Sequence, residues 1–324
     1  MNDMDQLVTG VLEGNRRALA RLITRIESTR KDHRAEASDA ISRLLPETGK
    51  SIRIGISGVP GVGKSSFIET FGLHVVEQGH KVAVLAVDPS SPKHGGSILG
   101  DKTRMENLAR NPGAYVRPSP SGGSIGGVAR RTRETIMAVE AAGFDVVLVE
   151  TVGVGQSEYA VADLVDMFVL LVAPGGGDDL QGIKKGIVEM ADLLVVTKND
   201  GDLQKAASRA FQDYTSALRM LRGGDDVWRP EVLRCSAHTG DGIPEVWARM
   251  EAFREAVQSA GRIDERRAEQ AASWMWDEVT STLLAEVRRK GGVGDKMEAS
   301  VRSGKRTPTD AAREILKQFD LGDL

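Results

Sequence analysis

Residues 52–66 read Ile52-Arg-Ile-Gly-Ile-Ser-Gly58-Val59-Pro60-Gly61-Val62-Gly63-Lys64-Ser65-Ser66, an apolar run that breaks into a glycine-rich loop and restarts with helical character. The stretch satisfies G-x-x-x-x-G-K-[ST] in full, with the strand before it and the helix after it that the pattern requires. Gly58, Gly61 and Gly63 permit backbone conformations that a Cβ would forbid, so successive N–H groups can converge on phosphate oxygens at a helix N-terminus. Lys64 adds a point charge for the β- and γ-phosphates, and Ser65 offers a hydroxyl to Mg²⁺. The whole cradle, Gly58, Val59, Pro60, Gly61, Val62, Gly63, Lys64, Ser65 and Ser66, is the expected phosphate-binding set.

Outward from this loop, short apolar runs alternate with helical stretches, the signature of βαβ units around a mostly parallel sheet. Strands are expected near 52–57, 82–87, 145–149, 166–172, 192–197 and 231–235. Ligands in such sheets collect at the carboxyl ends of the strands, so the chemistry is expected just after each run. After the second run come Asp88 and, in a glycine-rich segment, Asp101. Each acid is read either as a metal or water-mediated metal ligand or as a cap of the local turn or helix. After the third comes Glu150, a carboxylate ending an apolar strand and suited to hold Mg²⁺ directly or through water. Gly153 then lets a backbone N–H approach the γ-phosphate. Val154 stands where many signalling GTPases place a water-orienting glutamine, so Gln156 swings in, a partner supplies the group, or intrinsic turnover is slow.

Ala173-Pro-Gly-Gly-Gly-Asp-Asp-Leu-Gln181-Gly-Ile-Lys184-Lys185 follows the next run and reads as a third mobile loop or a plain surface connection, with Gln181 and Lys184 as candidate catalytic groups. The last two strand ends carry base recognition. Thr197-Lys198-Asn199-Asp200 is close to N-K-x-D, in which the aspartate accepts from N1–H and the exocyclic amine of guanine while the lysine stem covers the ring. Thr197 replaces the usual asparagine, which weakens a supporting contact and keeps the discriminating carboxylate. Ser236-Ala237-His238 matches the S-A-x loop whose backbone N–H can reach the guanine O6. Together, in this order after the phosphate loop, they favour guanine over adenine.

Flanking the sheet pattern, residues 1–48 form a helical extension with Leu19, Leu22, Ile23 and Ile26 at helical spacing. Residues 49–261 hold the nucleotide-binding domain, and 262–324 a charged helical arm carrying Trp274 and Trp276, with a glycine break at 291–294 and a last helix near 308–319. In 324 residues, 40% hydrophobic, there is room for one large α/β domain with appendages, and a net charge of −3 argues against a general nucleic-acid binder. The single cysteine, Cys235, excludes an intramolecular disulfide and a multi-cysteine zinc site. The segment MNDMDQLVTG is no signal peptide and no window has membrane-spanning length. The expectation is a cytoplasmic protein, or one whose targeting segment lies outside this sequence.

With these residues in place the chain resembles the methylmalonyl-CoA mutase-associated GTPase family, the MeaB/ArgK group of P-loop GTPases. The resemblance is carried by GVPGVGKSS at 58–66, AVDPSSP at 86–92, GGSILGDKTRM at 95–105, RPSPSGGSIGGVA at 117–129, ETVGVGQSE at 150–158 and APGGGDDLQGIKKGI at 173–187. It implies a three-layer P-loop NTPase fold and GTP bound and hydrolysed to GDP. Lys64 and Ser65 would then bind phosphate and Mg²⁺, Asp101 and Glu150 belong to the switch and metal set, and Lys198 and Asp200 read guanine. Residues 88–105, 150–163 and 173–185 would be nucleotide-sensing switches. It further implies a homodimer through the C-terminal helices, and a cobalamin-dependent mutase as client, with cofactor loading and protection of that enzyme as the task. Competing readings are an ATP-using kinase or transport ATPase, a nickel-type metallochaperone GTPase, disfavoured by one Cys and five scattered His, and a nucleotide-regulated scaffold with negligible catalysis.

Overall fold

The computed structural model describes residues 3–87, 105–118, 125–151, 157–175, 185–220, 227–289 and 293–317. Among them seven strands follow in chain order: β1 (Ile52–Ser57), β2 (Val82–Val87), β3 (Ala114–Pro118), β4 (Val146–Thr151), β5 (Met167–Val172), β6 (Leu193–Val196) and β7 (Glu231–Arg234). They form one sheet in the order β3-β2-β4-β1-β5-β6-β7, every neighbouring pair parallel. β1, β4 and β5 are buried along their full length and consist mostly of apolar residues because helices cover both faces, with Arg53, Ser57, Glu150 and Thr151 as buried polar exceptions.

The six expected strands are present, β1 and β2 with the expected bounds and the others with ends displaced by one or two residues. β3 was not anticipated. It is five residues long, occupies the sheet edge, and ends in Pro118, a residue tolerated only where no ladder N–H is needed.

The helices are α1 (Asp3–Leu12), α2 (Arg16–Glu27), α3 (Lys31–Leu44), α4 (Lys64–Glu77), α5 (Glu106–Arg110), α6 (Ile125–Ala141), α7 (Ser157–Ala162), α8 (Lys185–Glu189), α9 (Gln204–Met220), α10 (Ile243–Ser259), α11 (Arg262–Arg289), α12 (Val293–Arg302) and α13 (Pro308–Lys317). α2 begins where Asn15 accepts from the N–H groups of Arg17 and Ala18, and it buries Leu19, Leu22, Ile23 and Ile26 on one stripe. That stripe packs on α6, and Arg117 of β3 pairs with Glu27 of α2, so the N-terminal extension is seated on the sheet domain. Two compact units divide the chain, Met1–Gln270 and Ala271–Leu324.

At the amino end of β1 a charge network is sealed inside the first unit. Arg53 donates to Glu140 at 2.8 and 2.9 Å, and Ser51 donates to the same carboxylate at 2.6 Å. Arg267 donates to Asp166 at 2.6 and 2.8 Å and to the carbonyls of Gly49 and Ser51. Burial raises the Glu140 pKa, but its bonds to Arg53, Ser51 and Gly49 outweigh that, and the carboxyl is held below its ordinary value. Every charged head here has a hydrogen-bonded partner, which is the condition for burying it.

Candidate nucleotide-binding site

The parallel register brings the expected residues to one edge of the sheet. β1 sits between β4 and β5, with Ile56 opposite Glu150 and Ser57 opposite Leu170, so the loop leaving β1 opens between two strand ends. A Cβ on Gly58 would lie 2.5 Å from the Leu171 carbonyl oxygen, so only glycine lets the loop turn this close to β5. Gly63, at φ 99°, makes the left-handed step that starts α4, aiming the first N–H groups of that helix into the loop.

Lys64 is nearly buried and its Nζ donates to the carbonyls of Gly58 at 2.7 Å and Val59 at 3.3 Å. Desolvation lowers its pKa, opposed by the nearby carboxylates of Glu150 and Glu158. Ser65 donates from Oγ to Glu150 Oε1 at 3.3 Å, and behind them Thr151 Oγ1 donates to Ser57 Oγ at 3.0 Å. A hydroxyl and a carboxylate oxygen side by side, next to a phosphate cradle, are the hard donors that Mg²⁺ takes, so the residues fit that ion.

The base end of the cleft is tied to the same loop. Thr197 donates from Oγ1 to the Val62 carbonyl at 2.7 Å, and Lys198 Nζ donates to the Gly61 carbonyl at 2.8 Å. Thr197, which stands in place of the usual asparagine, thus ties the end of β6 to the glycine-rich loop through its hydroxyl. Lys198 is at φ 55°, the one positive φ outside glycine among the described residues, and this turns its stem back over the loop. Ser236 donates to the Asp200 carboxylate and accepts from the N–H groups of His238 at 3.2 Å and Thr239 at 3.1 Å. One Asp200 oxygen is thus engaged by the loop that follows β7, which orients the carboxylate.

Gly58 through Ser66, Glu150, Lys198, Asp200, Ser236, Ala237 and His238 are brought together in this way. Asp88, Asp101, Gly153, Gln156, Gln181 and Lys184 lie outside the described residues. Two contributors escaped sequence reading. Glu158, on the first turn of α7, is 4% exposed and close enough to Lys64 to raise its pKa. The signal available was an acid at 158 that begins a helix directly after the Glu150 loop. Thr70, inside α4, donates to the Ala237 carbonyl at 2.7 Å, and nothing in its local sequence sets it apart.

The family profile described as methylmalonyl Co-A mutase-associated GTPase MeaB matches residues 19–291. The chain belongs to this family. A probable GTPase of Mycobacterium tuberculosis is 51% identical over 99% of this chain and 96% of its own length. A mitochondrial protein of Mus musculus named methylmalonic aciduria type A homolog is 48% identical over 98% of this chain and 79% of its own. Among solved structures, one titled LAO/AO transport system kinase superposes with a TM-score of 0.79 at 35% identity, covering 99% of both chains. This MeaB-family member is a P-loop GTPase that hydrolyses GTP to GDP. No helix among the described residues is long and apolar enough to cross a membrane.

Proposed function

We propose that the protein is a cytoplasmic GTPase chaperone whose nucleotide state governs its grip on a cobalamin-dependent mutase, methylmalonyl-CoA mutase or a related enzyme, assisting cofactor loading and guarding against inactivation. The observation that carries this reading is the match to the mutase-associated GTPase family across residues 19–291, supported by likeness over 98% of this chain to a methylmalonic aciduria type A homolog.

In this reading the backbone amides from Gly58 to Ser66 hold the phosphates and Lys64 leaves the Gly58 and Val59 carbonyls to face the β- and γ-phosphates. Ser65 and Glu150 would hold Mg²⁺, with Asp88 and Asp101 as further candidates for its shell, and the ion when bound would supply charge neutralisation for the phosphates. Asp200 accepts from guanine, Lys198 covers the ring, and Ala237 offers its N–H. Gly153, Gln156, Gln181 and Lys184 belong to the loops that report the γ-phosphate. Residues 1–48 serve as the helical extension, 49–261 as the GTPase domain, and 262–324 as the arm through which two copies pair. Neither nucleic acid nor membrane is a partner.

The test is steady-state GTP turnover by the purified protein with and without the purified mutase, beside a pull-down in GDP and in a non-hydrolysable GTP analogue. Slow intrinsic turnover that rises on adding mutase, with a complex that depends on the nucleotide, is expected. Equal rates and no complex in either state would overturn the proposal.

A further inference from the structure

The loop that faces the base is fastened from outside itself. Thr70 lies on α4, the helix whose first residue is Lys64, and its Oγ1 donates to the Ala237 carbonyl at 2.7 Å. The preceding peptide is fastened from within, because the Ser236 carbonyl accepts from the Gly240 N–H at 3.0 Å. In a trans peptide C=O and N–H point opposite ways, so fixing the Ser236 carbonyl also fixes the direction of the Ala237 N–H. Ala237 is left with one pinned peptide plane on each side, and its N–H donates to no group among the described residues.

The geometry points to Thr70 as a positioning residue for base selection, one that keeps the Ala237 N–H aimed at a purine 6-oxo group. The inference rests on the reading of Asp200 and residues 236–238 as the guanine site and names a device behind it. A 6-oxopurine nucleotide presents an acceptor to that N–H, whereas the 6-amino group of adenine presents a donor. The Gly240 and His238 bonds fix both planes only relative to the loop itself, so without the Thr70 hydroxyl the turn loses its tie to α4, the Ala237 N–H shifts with it relative to the phosphate cradle, and the preference for a 6-oxo group declines. Because α4 also carries Lys64 and Ser65, the same contact holds the base loop in register with the phosphate cradle.

The test uses the full chain and calorimetric dissociation constants for GDP, inosine diphosphate, 2-aminopurine riboside diphosphate and ADP, in wild type, Thr70→Val and Thr70→Ser. Thr70→Val is expected to weaken GDP and inosine diphosphate by about tenfold, the size of one oriented hydrogen bond, and the two nucleotides lacking a 6-oxo group by less than about twofold. Thr70→Ser, which restores the hydroxyl, is expected to restore wild-type values. An equal loss for all four nucleotides, or no loss for any, would overturn the inference. Should valine fail to fold at this half-buried position, Thr70→Ala is read by the same ratios. Wild type binding ADP as tightly as GDP is a separate result: it would remove the guanine reading itself, and with it the role given to Thr70.

Discussion

Lys64 keeps its ammonium in a nearly buried setting because two backbone carbonyls and two nearby carboxylates offset part of the lost hydration. A triphosphate arriving in the cradle would add further opposite charge beside this group. Replacing it by alanine should reduce GTP turnover about 100-fold or more, the usual cost of removing one preorganised charge donor, and phosphate release assays would show it. Asp192 illustrates the reverse case. Burial pushes its carboxyl up from 3.8 to about 6, against the Phe168 N–H and Arg266, which favour the charged form. A raised acid pKa means that the native state holds a proton the unfolded chain has released, so this contribution is present at low pH and lost as pH rises through 6. Asp192→Asn should therefore melt several degrees above wild type at pH 7.5, with the gap closing near pH 4.5 in thermal scans. The phosphate cradle was legible residue by residue because its chemistry needs contiguous positions. Glu158, Thr70 and the Thr197 hydroxyl contact were not, since their roles come from neighbours distant in sequence.

At the scale of elements, Arg267, with Arg266 and Gln270, fastens the start of α11 within the first unit. It binds Asp166 before β5 and two carbonyls before β1, so losing it strands a carboxylate that is 1% exposed. Arg267→Met should cost about 3–5 kcal/mol in urea denaturation, and the double variant Arg267→Met, Asp166→Asn should recover much of that, because the penalty lies in the uncompensated charge. The apolar strands could be read from sequence because their Val- and Ile-rich runs are too short for buried helices and are bounded by glycine, aspartate or proline. β3 could not: Ala114–Pro118 carries Tyr115 and Arg117 and gains its strand form from pairing with β2 alone. α5 was equally hidden. Its first N–H groups are capped by Glu69 of α4, which accepts from Asn107 at 2.9 Å and Leu108 at 3.2 Å, a contact that no local pattern announces.

For the molecule as a whole, the second unit exposes an apolar set on α11: Met275, Trp276, Val279, Leu283 and Leu284, each between 40 and 64% exposed. Spaced along one helix, these residues suit the self-pairing proposed for the arm. Trp276→Glu should then shift sedimentation toward the monomer while GTP turnover by the isolated protein stays near wild type. The order of the sheet has a different bearing, on how the chain is made. β1, the strand that launches the nucleotide loop, has no partner until β4 and β5 are made, because its neighbours begin at Val146 and Met167. At about 5–20 residues per second, a ribosome leaves that strand unmated for on the order of ten seconds. The strand that leads into the proposed nucleotide loop thus emerges early with both edges unpaired, and until its neighbours arrive it is the part of the nascent chain most open to wrong pairing.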